Sequence, residues 1–348
     1  MTLRVRIQKK LGKFRLAADF EAGREVLALL GASGCGKSMT LKCIAGIEKP
    51  DAGRIELDGR VLFDSEKRID LPPQQRRVGY LFQQFALFPN MTVAQNIAAG
   101  ARARPKPARR AAVAETIAML RLEGLEDKKP GQLSGGQQQR AALARILAGA
   151  PAALLLDEPF SALDSYLKWQ LEQELGRVLA AFPGPCVWVS HDRDEVYRNC
   201  ARLCIMEQGK TQPPREKHAL FADPVTQGAA RLTGCKNYAK ARPAGVPNLV
   251  FMPEWGVTLD AGRPVPPDTT CVGLRVHSLR PCAPGSPNAI PCEVAEVIED
   301  VFSMILLLRV LGAPPSAPLL RMEYPKADWR GQRAFTVSLP PQDVLLLK

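Results

Sequence analysis

Leu133-Ser134-Gly135-Gly136-Gln137-Gln138-Gln139-Arg140 and, shortly after it, Leu154-Leu155-Leu156-Asp157-Glu158-Pro159 carry the reading of this chain. Ser134 is a natural helix N-cap, and Gly135 and Gly136 let the backbone come close to another molecule. From Gln137 to Leu147 there is no Pro or Gly, and Leu143, Ile146 and Leu147 fall at helical spacing, which predicts a helix starting near Ser134. Free N–H groups at such a start form an anion site. The second stretch is a short apolar strand ending in two carboxylates. A buried parallel strand delivers acids in this way to the carboxyl edge of an α/β sheet.

Upstream, Val26 to Leu30 reads as another buried strand. It runs into Gly31-Ala32-Ser33-Gly34-Cys35-Gly36-Lys37-Ser38 and then Met39 and a helical run through Ile44. Strand, glycine-rich loop and helix in that order make a phosphate-binding loop. Its glycines let N–H groups point at phosphate oxygens. Lys37 sets a cation on the β- and γ-phosphates, and the Ser38 hydroxyl is a ligand for Mg²⁺. The helix tip at Ser134 is a second anion site far from this loop in sequence, which suggests one nucleotide held between two molecules.

The rest of the chain fits around these pieces. Residues 3–9 and 14–20 alternate like strands, and 53–82 are β-rich, with Gln83 closing the last strand, where its amide is a candidate Mg²⁺ ligand or water-positioning group. Residues 88–150 turn Ala- and Arg-rich with helical spacing from Val93 to Ala99 and from Ala108 to Leu122, broken by Pro105-Lys106-Pro107. A helix from Ser165 to Phe182, a strand over 186–190 and another over 203–206 follow. The expected fold is α/β, a mainly parallel helix-covered sheet with antiparallel β and helical subdomains. The first domain is taken as 1–235. Beyond it, 16 of the 30 prolines fall in residues 241–348 among short β-type runs, which predicts a small all-β domain over 236–348.

Composition sets outer bounds. No apolar run reaches the roughly 18 residues needed to span a bilayer, and the amino end alternates like a strand rather than a signal peptide. A cytosolic chain is the expectation, and nine scattered cysteines without a CxxC pair fit reduced thiols. The net charge of +12 points to an anionic neighbour: a membrane surface, nucleic acid or a nucleotide. Short basic runs, Arg76-Arg77 among them, read as solvated faces, and no aromatic-interleaved basic stripe of a nucleic-acid binder is present.

The chemistry follows from charge. Asp157 is the candidate Mg²⁺ holder. Glu158 is placed to orient and deprotonate a water attacking the γ-phosphate. His191, at the end of the 186–190 strand, is a candidate γ-phosphate contact, whereas His218 and His277 read as structural.

Taken together, Gly31–Ser38, Gln83, Leu133–Arg140, Leu154–Pro159, Ser161–Asp164 and His191 resemble the ATPase subunit of ABC transporters, with every motif in family order over residues 1 to about 235. The resemblance implies ATP and Mg²⁺, and a head-to-tail homodimer in which Ser134, Gly135, Gly136 and Gln137 close over ATP on the other subunit's phosphate loop. It implies that Asp164 links the two sites, and that Gln83 with Phe85–Pro89 senses a transmembrane permease subunit. An extracytoplasmic solute-binding protein is an indirect partner, no nucleic acid is expected, and the place of work is the cytoplasmic face of the plasma membrane. The family often stacks an aromatic on adenine ahead of the loop; Phe14 is the candidate here. Met39 departs from a second hydroxyl common after the loop serine.

A separate ATPase chain with an appended oligonucleotide-fold-like β-domain resembles the importer branch. Val61–Ser65, Leu71–Pro73 and Thr233–Asn237 resemble the sulfate/molybdate subfamily. Iron, polyamine or sugar import is the alternative cargo. The competing functions are a soluble ABC ATPase acting on nucleic acid or ribosomes, which typically carries two cassettes or a coiled-coil insertion, and a regulator without turnover, which has no use for Glu158 and His191.

Overall fold

Alternation at the amino end becomes a strand pair. In β1 (Leu3–Leu11), Leu3, Val5 and Ile7 are buried while Arg4, Arg6 and Gln8 face solvent, the period of two that a half-buried strand requires. β2 (Phe14–Ala22) returns antiparallel beside it. The computed structural model describes residues 1–348 except residue 103 and residues 161–164. It divides into two units, Met1–Lys217 and His218–Lys348.

In the first unit, β3 (Val26–Leu30) leads into α1 (Lys37–Ala45). The antiparallel strands β4 (Ala52–Leu57), β5 (Arg60–Asp64) and β6 (Ile69–Asp70) follow, then the one-turn α2 (Pro73–Arg76) and β7 (Val78–Leu81). The helical insertion holds α3 (Val93–Gly100), α4 (Lys106–Met119) and α5 (Gly135–Ala148). β8 (Ala153–Asp157), α6 (Ser165–Ala181), β9 (Cys186–Ser190), α7 (Arg193–Asn199), β10 (Arg202–Glu207) and β11 (Lys210–Thr211) follow, and a two-residue strand, β12 (Arg215–Glu216), pairs antiparallel with β10.

Five strands, β10, β3, β9, β8 and β7, lie side by side and parallel. The antiparallel strands join through β11, which pairs with both β10 and β2. Parallel strands are covered on both faces, and Leu154, Leu155, Leu156, Val187 and Val189 are wholly buried. Each such side chain contributes roughly 2–3 kcal/mol. Because the strands run one way, the turns after β3, β8 and β9 share one edge of the sheet.

Two local differences from the sequence reading have physical causes. α4 begins at Lys106, not Ala108: Pro105 is its N-cap and Pro107 sits in its first turn. Proline there lacks only an N–H that would have no partner within the helix, so it starts this helix instead of breaking it. Arg76 is not on a solvated face. It is 0% exposed, and its guanidinium donates to the carbonyls of Leu71, Cys43 and Ile44 and to Asp70. Arg76 thereby closes the carboxyl end of α1, the helix that the phosphate loop opens. Gly46 makes room for it, since a Cβ there would lie 2.5 Å from Arg76 Nε.

Within the insertion, α3 crosses α5 backbone to backbone. A Cβ on Gly100 would come within 1.8 Å of the Arg145 carbonyl.

After two short helices, over 217–222 and 227–232, the second unit is antiparallel β: three-stranded sheets over 237–240, 271–274 and 344–347 and over 242–243, 249–252 and 257–260, and a five-stranded sheet between residues 280 and 338. Its core gathers Trp255, Leu306, Leu308, Met322 and Val337, with the Trp255 indole donating to the Pro318 carbonyl at 2.7 Å. Residues 218–235, which the sequence reading set with the first domain, fall in this unit. Ala230 and Cys235 pack there with Leu345 and Leu347.

Candidate functional site

The phosphate loop spans the turn from β3 to α1. Gly34 and Gly36 have φ of 78° and 108°, where a side chain is strained. Gly31 is required for another reason: a Cβ there would meet the Met206 carbonyl oxygen at 2.3 Å. Lys37 is buried, and its ammonium donates to the carbonyls of Gly31 at 2.7 Å and Ala32 at 3.0 Å, which holds the cation at the loop. Ala32, Ser33 and Gly34 are exposed on the loop's outer surface.

Beneath the loop lies a small apolar floor of Leu16, Cys35 and Met206, with Phe14 and Met39 packed against it. Two sequence candidates therefore have their contacts in this floor. The tip of the Phe14 ring approaches Gly36 and Gly209, and Met39 fills the place below. Burial raises the Cys35 thiol above its ordinary pKa, against the opposing charge of Lys37, so it stays protonated at neutral pH.

The acids arrive at the same edge. Asp157 ends β8, buried, and accepts from Ser38 Oγ at 2.8 Å and from Tyr80 Oη at 2.7 Å. Burial, then the Asp157 charge, raises the Tyr80 pKa well above the usual phenol value. The sequence reading missed Tyr80; its signal is a polar-tipped residue on β7, in register with Leu155 of β8.

Glu158 follows with φ of 45°, left-handed for a residue with a side chain. A hydrogen bond from its N–H to the Val189 carbonyl at 3.0 Å holds it there. Strain of this kind gathers at functional sites. Its Oε1 lies 3.1 Å from His191 Nδ1; the imidazole is 59% exposed and the carboxylate 19%.

Behind His191, Asp192 caps α7 by accepting from the Asp194 and Glu195 N–H groups. Lys168 of α6 bridges Asp192 and Glu195, and the Trp188 indole donates to Glu195 at 2.7 Å. Burial raises the Glu195 pKa against the pull of Lys168.

Ser134, Gly135, Gly136 and Gln137 stand apart from this cluster, at the start of α5. Ser134 Oγ accepts from the Gln137 N–H, and the Gln137 side chain accepts from the Ser134 N–H, a reciprocal cap. Ser134 is exposed, while Gly136 lies against Leu171, 3.0 Å from where its Cβ would be. Gln83 does not close β7. The strand ends at Leu81, and Gln83 is exposed in the turn beyond. Asp164 lies outside the described residues.

A groove of about 770 Å³ opens beside that turn, lined by Phe82, Ala86, Phe88, Met91, Arg102 and Arg145 among others.

Comparison with known proteins decides the family. A sequence profile described as ABC transporter matches residues 15–161. The molybdenum import ATP-binding protein ModC of Paramagnetospirillum magneticum is 37% identical over 281 residues, covering 78% of this chain and 76% of that protein. The chain belongs to the ABC transporter ATPase family. This ABC ATPase is also 36% identical to the spermidine/putrescine import ATP-binding protein PotA of Rubrobacter xylanophilus, over 84% of this chain and 79% of that one. Sulfate/thiosulfate import occurs among its relatives' names as well. Of solved structures, the dimeric post-hydrolysis state of the ATP-binding cassette MJ0796 bound to ADP and Pi is similar at 29% identity and a TM-score of 0.53, covering 62% of this chain and 99% of that one.

Proposed function

We propose that this ABC ATPase powers an importer for a tetrahedral oxyanion, molybdate or sulfate, by closing head to tail as a homodimer around ATP. The observation that carries the ATPase reading is the paired contact at the sheet edge: Ser38 on Asp157, and His191 on the strained Glu158. ATP phosphates sit on the Gly31–Ser38 loop, with Lys37 turned from the loop carbonyls onto the β- and γ-phosphates. Ser38 and Asp157 are a hydroxyl and a carboxylate already 2.8 Å apart, a donor set that suits Mg²⁺. They would hold it with Gln83, and the ion supplies neutralisation of phosphate charge.

Glu158 accepts a proton from the attacking water. The water oxygen bonds to the γ-phosphorus as the bond to the β–γ bridging oxygen breaks, and that electron pair leaves with ADP. His191, engaged through Nδ1, steadies the carboxylate and offers Nε2 to the γ-phosphate.

The cap at Ser134 supports the dimer. Its hydrogen bonds stay within α5 and its hydroxyl is exposed, so the helix start is available to nucleotide on a second copy. Asp164 is assigned to link the two sites. The aromatic and arginine-lined groove beside Gln83 supports docking of a membrane subunit there, at the cytoplasmic face, with a solute-binding protein acting on the far side. The assignment of cargo rests on the names of relatives and on the subfamily-like stretches of sequence.

E158Q tests the mechanism. The variant is expected to keep ATP binding, lose roughly 100-fold or more in turnover, and accumulate as a dimer in Mg·ATP. Unchanged turnover refutes the role of Glu158. For cargo, ATP turnover of the membrane complex purified with its own permease is expected to rise on adding molybdate-loaded binding protein; stimulation by putrescine instead overturns the oxyanion assignment.

A further inference from the structure

The turn after Gln83 is built under strain. Phe85 and Ala86 are consecutive residues with φ of 58° and 49°, and neither is glycine. Left-handed backbone is unfavourable for each of them. Two side chains of the helical insertion hold this stretch. Arg145, in the last turn of α5, donates through Nη1 to the Ala86 carbonyl at 2.7 Å and through Nη2 to the Phe85 carbonyl at 3.0 Å. Its guanidinium also lies 5.3 Å from the centroid of the Phe88 ring. Wholly buried Asn96 of α3 accepts from the Phe88 N–H at 2.8 Å and donates to the Phe88 and Met91 carbonyls.

Among the described residues, no carboxylate pairs with Arg145, and burial alone lowers its pKa. Its charge is satisfied by two carbonyls that point at it only while Phe85 and Ala86 stay left-handed. Strain and satisfaction thus depend on each other: relaxing the turn would strand a half-buried cation, and removing the cation would let the turn relax. The ring that Arg145 faces, Phe88, is exposed on the groove wall.

We propose that Arg145 is a positioning residue that latches the turn after Gln83 to α5, so that the helix bearing Ser134 and the loop bearing Gln83 move together. The proposal rests on the ATPase reading for its purpose, while its physical content, the latch, stands by itself.

Hydrogen exchange of the 85–88 amides in the full-length chain tests it, in wild type, R145Q, A86G and R145Q/A86G. Loss of the clamp is expected to speed exchange about tenfold in R145Q. Glycine adopts positive φ without penalty, so A86G is expected to return the double variant to within about threefold of wild type. In turnover, R145Q is expected to lower kcat about fivefold with KM near wild type, and A86G to restore it. Unchanged exchange in R145Q, or no rescue by A86G, overturns the latch. If R145Q also loosens β8 and β9, A86G alone decides: exchange equal to or slower than wild type supports the latch, and faster exchange overturns it. A wild-type chain without ATP turnover would remove the ATPase reading and leave the exchange result standing.

Discussion

Asp157 is a carboxylate with three neighbours in competition for it: the Ser38 hydroxyl, the Tyr80 phenol and the cation these residues suit. Tyr80 is the one whose charge state is most displaced. Burial first, then Asp157, raises its pKa in the fold above its unfolded value. Its contribution to stability is therefore fully present below about pH 10, the unfolded value, and is lost as pH rises toward the higher folded value. Thermal denaturation above pH 10 is expected to show this loss, and Y80F to flatten it. At neutral pH the same variant is expected to cost roughly 1 kcal/mol for the lost hydrogen bond. Much of the site was legible because its residues are locally tied: glycines, lysine and serine of the loop are neighbours in sequence, as are Asp157 and Glu158. Tyr80 was not, since its partner comes from the next strand. Nor was the left-handed turn at Phe85-Ala86, because no glycine marks it.

Elements add constraints that single residues hide. Ser134 works twice, as the cap of α5 and as the proposed contact to nucleotide on a second copy. S134A is expected to lower unfolding free energy by about 1 kcal/mol, a cap's worth, measured by urea denaturation of the nucleotide-free chain. ATP turnover should fall far beyond what that loss explains; a fall no larger than the stability change would leave Ser134 a cap alone. Arg76 shows the reverse case, an apparent surface cation that closes α1. R76A leaves the Cys43, Ile44 and Leu71 carbonyls without their donor, and roughly 3 kcal/mol of destabilisation is expected in the same assay. Read locally, Arg76-Arg77 is a basic pair. Only the fold tells one from the other, since Arg77 points its backbone left-handed and outward while Arg76 turns in. The helices that periodicity marks start within a turn of the expected places, α4 two residues early because Pro107 fits its first turn, whereas the short α2 and α7 carry no periodic signal.

At the scale of the whole chain, each unit carries its own core, the first around the sheet and the second around Trp255. Calorimetry of E158Q is expected to resolve two transitions. Saturating Mg·ATP, at about 100 times its Kd, should stabilise only the first, by roughly 2.7 kcal/mol from nucleotide alone and by more where the closed dimer forms; a shift of both would mean that the units unfold as one. The proline-rich composition of residues 241–348 announced a β-unit, but not its start at His218, because residues 218–235 join it through packing with the chain's last strand. The close crossing of α3 over α5 has a mechanical corollary. With the Gly100 backbone seated against the Arg145 carbonyl, the two rods have no room to slide past one another. α5 runs 14 residues, roughly 21 Å at 1.5 Å each. A few degrees of tilt at its serine-capped tip is then expected to carry α3 with it, the insertion turning as a crank rather than flexing as a spring.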